Sequence, residues 1–449
     1  IDNLGRLWGW GGNQEGQLGN AVPLNYSYPV IISNATNWVD ITAAAHHSIA
    51  LNSVGQLWAC GENNYGQLGI APGGNVTSLT NIATSQYWSA VSTGDRHTIA
   101  LNAVGNLFTW GDDGSEQLGN GPLLSSDINP KQIGTDIWTS IEAGIVHNLA
   151  IRSDSTLWAW GENNGGQVGD FTFVDKDTPI HILPLYSDFV KINAGYVSFA
   201  MRKNGDLWGW GANSYGQMGN NYAVWTSAPE LIPNPGSPNT IVDFYTGRLH
   251  SILLDNAGNV YGTGYNLTKQ LNVNNPLSGP NNDRTLSWIP IGITNAAQIF
   301  QGYDHNFAMT NTNQLLGWGF NHHGNLNLGN LSYCEPASEV DCIIEQGFNP
   351  ASPPPYTFKL KFYHDGEVAC DKMFDIDCLP DTLNSCLDIR NIVTECLYEK
   401  NKYKLTFTVS NTSNPAFTAA SVVVSSSDPN LVFTPSIIDF TPDLNSGQS

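Results

Sequence analysis

Runs of about five residues, apolar or alternating and separated by Gly, Asn and Asp, return at a fixed phase through residues 1–330. Leu7-Trp8-Gly9-Trp10-Gly11 is followed by Gly16-Gln17-Leu18-Gly19, and Leu57-Trp58-Ala59-Cys60-Gly61 by Gly66-Gln67-Leu68-Gly69. The same phrase recurs from Leu107, Leu157 and Leu207, and in altered form from Val260 and Leu315. Its first-aromatic column (Trp8, Trp58, Phe108, Trp158, Trp208, Tyr261, Leu316) advances by 50, 50, 50, 50, 53 and 55 residues. Runs this short, bounded by turn residues and without helical periodicity, predict strands. A period near 50 residues with several strands per unit predicts propeller blades.

A second phrase keeps the same phase. Ala45-His46-His47-Ser48-Ile49-Ala50-Leu51 returns as Gly94 to Leu101 around His97, and as Gly144 to Ile151 around His147. It returns again with Ser198 in the histidine column, then around His250 and His305. An aromatic such as Trp38, Trp88, Trp138 or Phe189 opens most units. Seven Trp-Gly phrases stand against six histidine phrases, so one blade is split or incomplete. The missing histidine half of the first unit and the abrupt end at Ser449 suggest a piece of a longer or trimmed polypeptide.

The pairing of Gly-x-x-His-Ser/Thr-x-Ala-Leu with Leu-Trp-x-Trp-Gly-x-Asn-x-x-Gly-Gln-Leu-Gly resembles the RCC1 repeat (regulator of chromosome condensation). The resemblance covers residues 1–330. It implies an all-β, RCC1-like propeller of about seven blades, each a four-stranded antiparallel sheet. Between each Gly-Gln-Leu-Gly and the next opening aromatic the chain varies, as in Asn20–Asn37, Gly119–Ile137, Asp170–Asp188, Asn220–Thr240 and Asn272–Asn295. These stretches read as longer connections, where a rigid repeat scaffold places binding specificity.

Charge narrows the partners. Lys and Arg total 18 against 39 Asp and Glu, a net charge of −21, and charged residues are only 13% of the chain. Both halves are acidic, with 11 basic and 23 acidic residues up to residue 330 and 7 and 16 beyond it. Nucleic acid and anionic membranes need a positive patch, so neither is an expected partner. No stretch of 18 apolar residues predicts membrane insertion.

Cysteine is unevenly placed. Cys60 stands alone, in the column held elsewhere by Trp10, Trp110, Trp160 and Trp210, and reads as a small buried apolar residue. The other six (Cys334, Cys342, Cys370, Cys378, Cys386, Cys396) fall within 63 residues. Their even number and density predict three disulfides in an oxidising compartment, with 15 possible connectivities. The spacings of 8, 28, 8, 8 and 10 do not suit a zinc site.

Three regions follow: the propeller (1–330), a Pro-rich linker (331–355) ending in Pro353-Pro354-Pro355, and a Cys-rich tail (356–449). Successive prolines favour an extended spacer. Tyr356 to Phe362, the alternation over Lys402–Ser410, Ser421 to Val424 and Leu431 to Phe433 predict strands. The tail resembles the Ig-like β-sandwich modules of bacterial surface proteins, here truncated.

Candidate chemistry is sparse. A ring of His47, His97, His147, His250 and His305 could suggest a metal, but equivalent points on separate blades lie too far apart for one ion. A structural role in each blade is expected instead. Trp8, Trp58, Trp158 and Trp208 could be carbohydrate platforms, yet strict periodicity favours packing between blades. The repeat glycines Gly11, Gly61, Gly111, Gly161 and Gly211 suit tight turns rather than phosphates. Asp112-Asp113 and Asp175 to Asp177 lack the ligand spacing of a calcium loop. Asn-x-Ser/Thr occurs at Asn25, Asn34, Asn75, Asn266, Asn330 and Asn411, a weak glycosylation signal. No catalytic constellation, cofactor motif or metal site is present in the sequence.

The expected function is therefore non-enzymatic: an extracellular binding or structural module of a cell-surface or filament-forming, adhesin-like protein. Its partners would be protein, through self-assembly or at a surface, or glycan. Alternatives are a phage virion appendage and a secreted propeller that inhibits another protein. The family resemblance also implies guanine-nucleotide exchange with chromatin docking, which the acidic balance and clustered cysteines oppose.

Overall fold

The computed structural model describes residues 1–122, 126–273, 283–321 and 323–326, and the backbone of strands at 344–346, 356–364, 367–376, 388–397 and 402–410. The chain divides into two compact units, Ile1–Glu335 with Cys342–Ile344, and Pro336–Asp341 with Glu345–Ser449. All described elements are strands.

The first unit is a ring of seven antiparallel blades. Blade one holds β1 (Leu7–Gly11) and β2 (Tyr26–Ser33). Blade two runs β3 (Trp38–Ala43), β4 (His47–Asn52), β5 (Leu57–Gly61), β6 (Val76–Ile82). Blade three has β7 (Trp88–Thr93), β8 (His97–Asn102) and β9 (Asn106–Gly111). The 17-residue β10 (Asp127–Ala143) is its fourth strand and continues into blade four as that blade's first strand. Blade four continues with β11 (His147–Arg152), β12 (Leu157–Gly161) and β13 (Lys176–Ile182). Blade five is β14 (Phe189–Ala194), β15 (Val197–Arg202), β16 (Leu207–Gly211) and β17 (Thr226–Leu231). Blade six is β18 (Ile241–Thr246), β19 (His250–Asp255), β20 (Asn259–Tyr265) and β21 (Arg284–Thr294). Blade seven carries β22 (Ala296–Gln301), β23 (His305–Thr310) and β24 (Leu315–Gly319).

The stretches expected to be variable connections therefore contain the fourth strands. These lack clean alternation because their pairing is irregular: register shifts fall between Ala59 and Gly61 and between Gly209 and Gly211. A strand with shifted register does not keep one face to the core, so period-two patterning fades.

Alternation in the second and third strands sends side chains to both neighbouring blades. Ile49, Leu51, Leu57 and Ala59 of blade two face Trp88, Val91, Phe108 and Trp110 of blade three. Leu149, Leu157 and Val168 face Phe189, Ile192 and Trp210 in the same way. The core is thus a set of inter-blade layers, and each fully buried Leu, Ile or Phe contributes about 1.5–3 kcal/mol. First strands touch one another around the axis, joined by a hydrogen bond of 2.8 Å between the Thr42 and Thr93 hydroxyls and one of 2.7 Å from Thr246 N to Asn193 Oδ1.

In the second unit, Tyr356–His364 pairs with Glu367–Ile376 and Asp388–Leu397 with Lys402–Ser410, as separate two-stranded antiparallel sheets. The expected spacer contains one described strand, Ile344–Gln346. Ser421 to Val424, Leu431 to Phe433 and the rest of the expected Ig-like sandwich lie outside the described residues. So do the side chains of Cys334, Cys342, Cys370, Cys378, Cys386 and Cys396.

Candidate interaction face and the residues that hold it

The histidine column joins one blade to the next. His97 Nε2 lies 2.7 Å from Asn148 Oδ1, His147 Nε2 2.8 Å from Ser198 Oγ, and His250 Nε2 2.8 Å from Asn306 Oδ1. Each acceptor sits one residue past the next blade's histidine position. In blade five that position is held by Val197, which pairs with Gly211 as His147 pairs with Gly161, and not by Ser198 as the repeat phase suggested. Each acceptor's own donor goes back to a loop carbonyl: Asn148 Nδ2 to Gln117 O (2.7 Å), Ser198 Oγ to Gln167 O (2.7 Å) and Asn306 Nδ2 to Gln270 O (3.0 Å). Because the Ser198 hydroxyl donates to Gln167, His147 must donate through Nε2–H, which fixes its tautomer. Burial pushes His47 and His147 down to about 3 and His250 to about 4, and lowers His97 as well, so these rings are neutral. His47 is buried with neither ring nitrogen bonded; Thr98 stands in its partner's place and gives its hydroxyl to Gln67 O at 2.8 Å. His305 is half-buried, and its ring meets Phe307 edge-on with centroids 5.6 Å apart.

The same Gln carbonyls receive a second donor, from the second tryptophan of the phrase. Trp110 Nε1 reaches Gln67 O at 3.0 Å, Trp160 Nε1 reaches Gln117 O at 3.1 Å, and Trp210 Nε1 reaches Gln167 O at 2.8 Å. The closing glycine makes room for the indole. A Cβ on Gly119, whose φ is +64°, would sit 2.6 Å from Trp160 Cδ1. In blade six this tryptophan is replaced by Thr263, and Trp288 from the fourth strand fills the space against Gly219. Cys60 occupies the column in blade two, 1% exposed, with its thiol 3.2 Å from Gln17 O and pushed up to about 12 by burial.

The first-aromatic column behaves differently. Trp8, Trp58, Trp158 and Trp208 are half-buried at the inter-blade layers, where Trp58 meets Trp38 and Trp158 meets Trp138 edge-on. Trp158 is stacked on His181 and covered by Arg152, and Arg6 lies over Trp8, so these two indole faces are covered by the protein itself.

A column that sequence reasoning left without a role shapes the loops. Asn13, Asn63, Asn163 and Asn213, with Asp113, Asn266 and Asn321, are buried, and each Oδ1 accepts the amide five residues on at 2.8–3.1 Å. Their strict phase was the available signal. Asn266 is thereby enclosed, with Nδ2 bonded to Val273 O at 3.0 Å, which removes it as a glycosylation acceptor. Asp113 takes the Asn position: burial raises its carboxyl to about 6, against the Leu118 amide and with Asp127, Asp112 and Glu116 adding to the rise. Asp175 and Asp170 serve the neighbouring Asn163, accepting its backbone N and Nδ2 at 2.7 and 2.9 Å.

At the axis, Asp40, Glu142, Lys191 and Asp243 come from the first strands of blades two, four, five and six. Lys191 pairs with Asp243. Burial raises Glu142 to about 7, with Asp40 adding and the Ser92 hydroxyl and Lys191 opposing. Among the described residues no three His, Cys, Asp or Glu converge as a metal site.

The turn between first and second strands and the loop between third and fourth emerge on one face, tied together by bonds such as Asp112 N to Arg96 O (2.9 Å) and Glu162 N to Val146 O (3.0 Å). Two neighbouring loops there carry large exposed apolar groups. Phe171 is 70% exposed, Val174 64%, Val224 61% and Trp225 50%. Phe171 N bonds to Ser227 O at 2.9 Å, which holds the blade-four loop against the chain that follows the blade-five loop.

RCC1_2-type regulator of chromosome condensation (RCC1) repeats match at residues 38–67, 88–117, 138–167, 189–217 and 296–325. The related RCC1 repeat description matches 5–51, 54–101 and 204–254. No curated protein matches the chain by sequence. Human WBSCR16 is similar in structure, with a TM-score of 0.64 and 19% identity over 73% of this chain and 92% of its own. Prp20p from Saccharomyces cerevisiae gives 0.62 and 19%, over 72% of this chain and 82% of its own. Yeast RCC1 (Prp20) in its Kap60-bound structure gives 0.63 and 19%, over 75% and 83%. With the repeat matches together spanning more than half of its residues, the chain belongs to the regulator of chromosome condensation (RCC1) repeat family.

Proposed function

We propose that the chain is a non-enzymatic protein-interaction module, in which the propeller presents the loops at Phe171–Val174 and Tyr222–Trp225 to a protein partner. The observation that carries this reading is the exposure of Phe171, Phe173, Val174, Val224 and Trp225 on adjacent loops of one face. Contiguous apolar groups on a rigid, charged-poor scaffold mark an interaction site. The structural neighbours fit that use: Prp20p has binding properties toward Gsp1p and histones, and yeast RCC1 is bound by Kap60. A net charge of −21 opposes the chromatin-docking variant of the family's function.

The setting we infer is extracellular, as part of a surface or filament-forming protein. The six clustered cysteines support an oxidising compartment. Affinity capture from the source organism's extracellular fraction tests the reading, with the intact chain and a Phe173→Asp/Trp225→Asp variant side by side. A stoichiometric protein partner held by the intact chain and lost at least about tenfold by the variant supports it. A partner retained equally by both, or a glycan eluting in its place, overturns it.

A further inference from the structure

Among the described residues, blade one lacks its inner half. Blades two to six each carry four strands, whereas β1 pairs with β2 alone. On the inner side of β1 lies a cleft of about 390 Å³, bounded by Ile41, Ala43 and Ala50 of blade two and by His305 and Phe307 of blade seven. We propose that this cleft is the acceptor site for a two-stranded β-hairpin with the sequence chemistry of the repeat's own first half. The required pattern is an aromatic, Ile or Val three residues later, a small residue, a tight turn, then His-Asn/Ser/Thr-x-Ala-Leu.

Both walls expose positions that are core everywhere else. Ile41 is 42% exposed, while its equivalents Val91, Ile141, Ile192, Phe244 and Ile299 are at 7, 6, 2, 0 and 0%. Phe307 is half-exposed, while Ile49, Ile99, Leu149, Phe199 and Ile252 are at 0%. Polar partners are missing at the same place. His97, His147 and His250 each bond to a residue on the next blade's second strand. His305 faces the blade without that strand and has no hydrogen-bond partner among the described residues. Gln67, Gln117, Gln167 and Gln270 carbonyls each accept both an indole and a second-strand side chain. Asn325 O, their counterpart at this junction, receives Trp10 Nε1 at 3.0 Å; the second-strand donor is the one the hairpin would bring.

The pairing inside blade two also specifies a register. In blade two His47 pairs with Gly61, Ile49 with Ala59 and Leu51 with Leu57. An incoming second strand would set its His opposite Gly11 and its Leu opposite Leu7, with the Asn or Ser aimed at His305. Main-chain pairing supplies affinity and the side-chain pockets supply selection, as in strand addition generally.

The probe is a synthetic peptide copying Trp138 to Ile151, which contains the His147-Asn148 pair, titrated into the full chain by fluorescence anisotropy. Micromolar binding is expected, weakened at least about tenfold by Ile41→Arg and absent for a scrambled peptide. Since Ile41 is exposed, that variant keeps the fold, which circular dichroism verifies. A second version joins the same hairpin through a flexible linker ahead of Ile1 and follows hydrogen exchange in β1. Slowing of the Leu7–Gly11 amides by at least about tenfold is expected. Equal binding by the scrambled peptide or by Ile41→Arg overturns the proposal, as does a silent peptide together with unchanged exchange in the fusion.

Discussion

Single side chains in this propeller are selected by the carbonyl or ring they meet in the next blade, and Asp113 shows the cost of departing from the column. Its neighbours in sequence phase are Asn63 and Asn163, whose side-chain nitrogens donate to Ile70 O and Thr172 O at 3.2 and 3.0 Å. A carboxylate has no such donor, and Asp113 Oδ2 is buried without a partner. Its folded pKa, about 6, lies above the ordinary carboxylate value. Such a group stabilises the fold fully below its unfolded pKa and loses that contribution as pH rises through the folded value. Asp113→Asn should therefore raise the melting temperature by a few degrees at pH 8, with the gain shrinking toward pH 4, as thermal scans across that range would show. The Asn column was present in the sequence but carried only a turn reading, because a phase-locked polar residue does not reveal whether its side chain points into a loop or into water.

Strands and their junctions come next, and here the two tryptophan columns separate. Both recur with equal regularity in sequence, so periodicity alone could not rank them. Position along β12 decides, since the two indoles share one face and both meet Trp138: Trp160 is 0% exposed and bonded to Gln117 O, while Trp158 is half-buried under Arg152 and His181. Trp160→Ala should destabilise the propeller by about 3–5 kcal/mol through the cavity it leaves. Trp160→Phe, which keeps most of the volume but loses the N–H, should cost about 1 kcal/mol beyond its packing change. Trp158→Ala should cost less than half of Trp160→Ala. Calorimetry of the propeller transition ranks the three, and equal losses at 158 and 160 would contradict the inter-blade assignment. First, second and third strands were legible from their columns. Fourth strands were not, since their register shifts erase the alternation that marks a strand.

The whole molecule inherits a pH response from its repeated histidines. His47, His97, His147 and His250 sit neutral at 0% exposure, with pKa values lowered by burial. Groups depressed in this way contribute stability above their unfolded value, near 6.5, and that contribution is lost as pH falls toward about 3–4. The melting temperature of the intact chain should fall progressively over that interval, and His147→Asn should flatten the slope. The ring itself, its repeat family and its acidic surface could be read from sequence, because repetition multiplies a weak local signal. The proposed binding face was legible only as stretches: Asp170–Asp188 and Asn220–Thr240 were expected to carry specificity, but only the ring brings Phe171, Val224 and Trp225 onto adjacent loops. Hydrogen exchange on the intact chain, alone and with its captured partner, tests that face most directly. The account predicts slowed exchange concentrated at residues 171–175 and 222–227, with the opposite-face segments 183–188 and 233–240 unchanged. Protection confined to those opposite-face segments would contradict it.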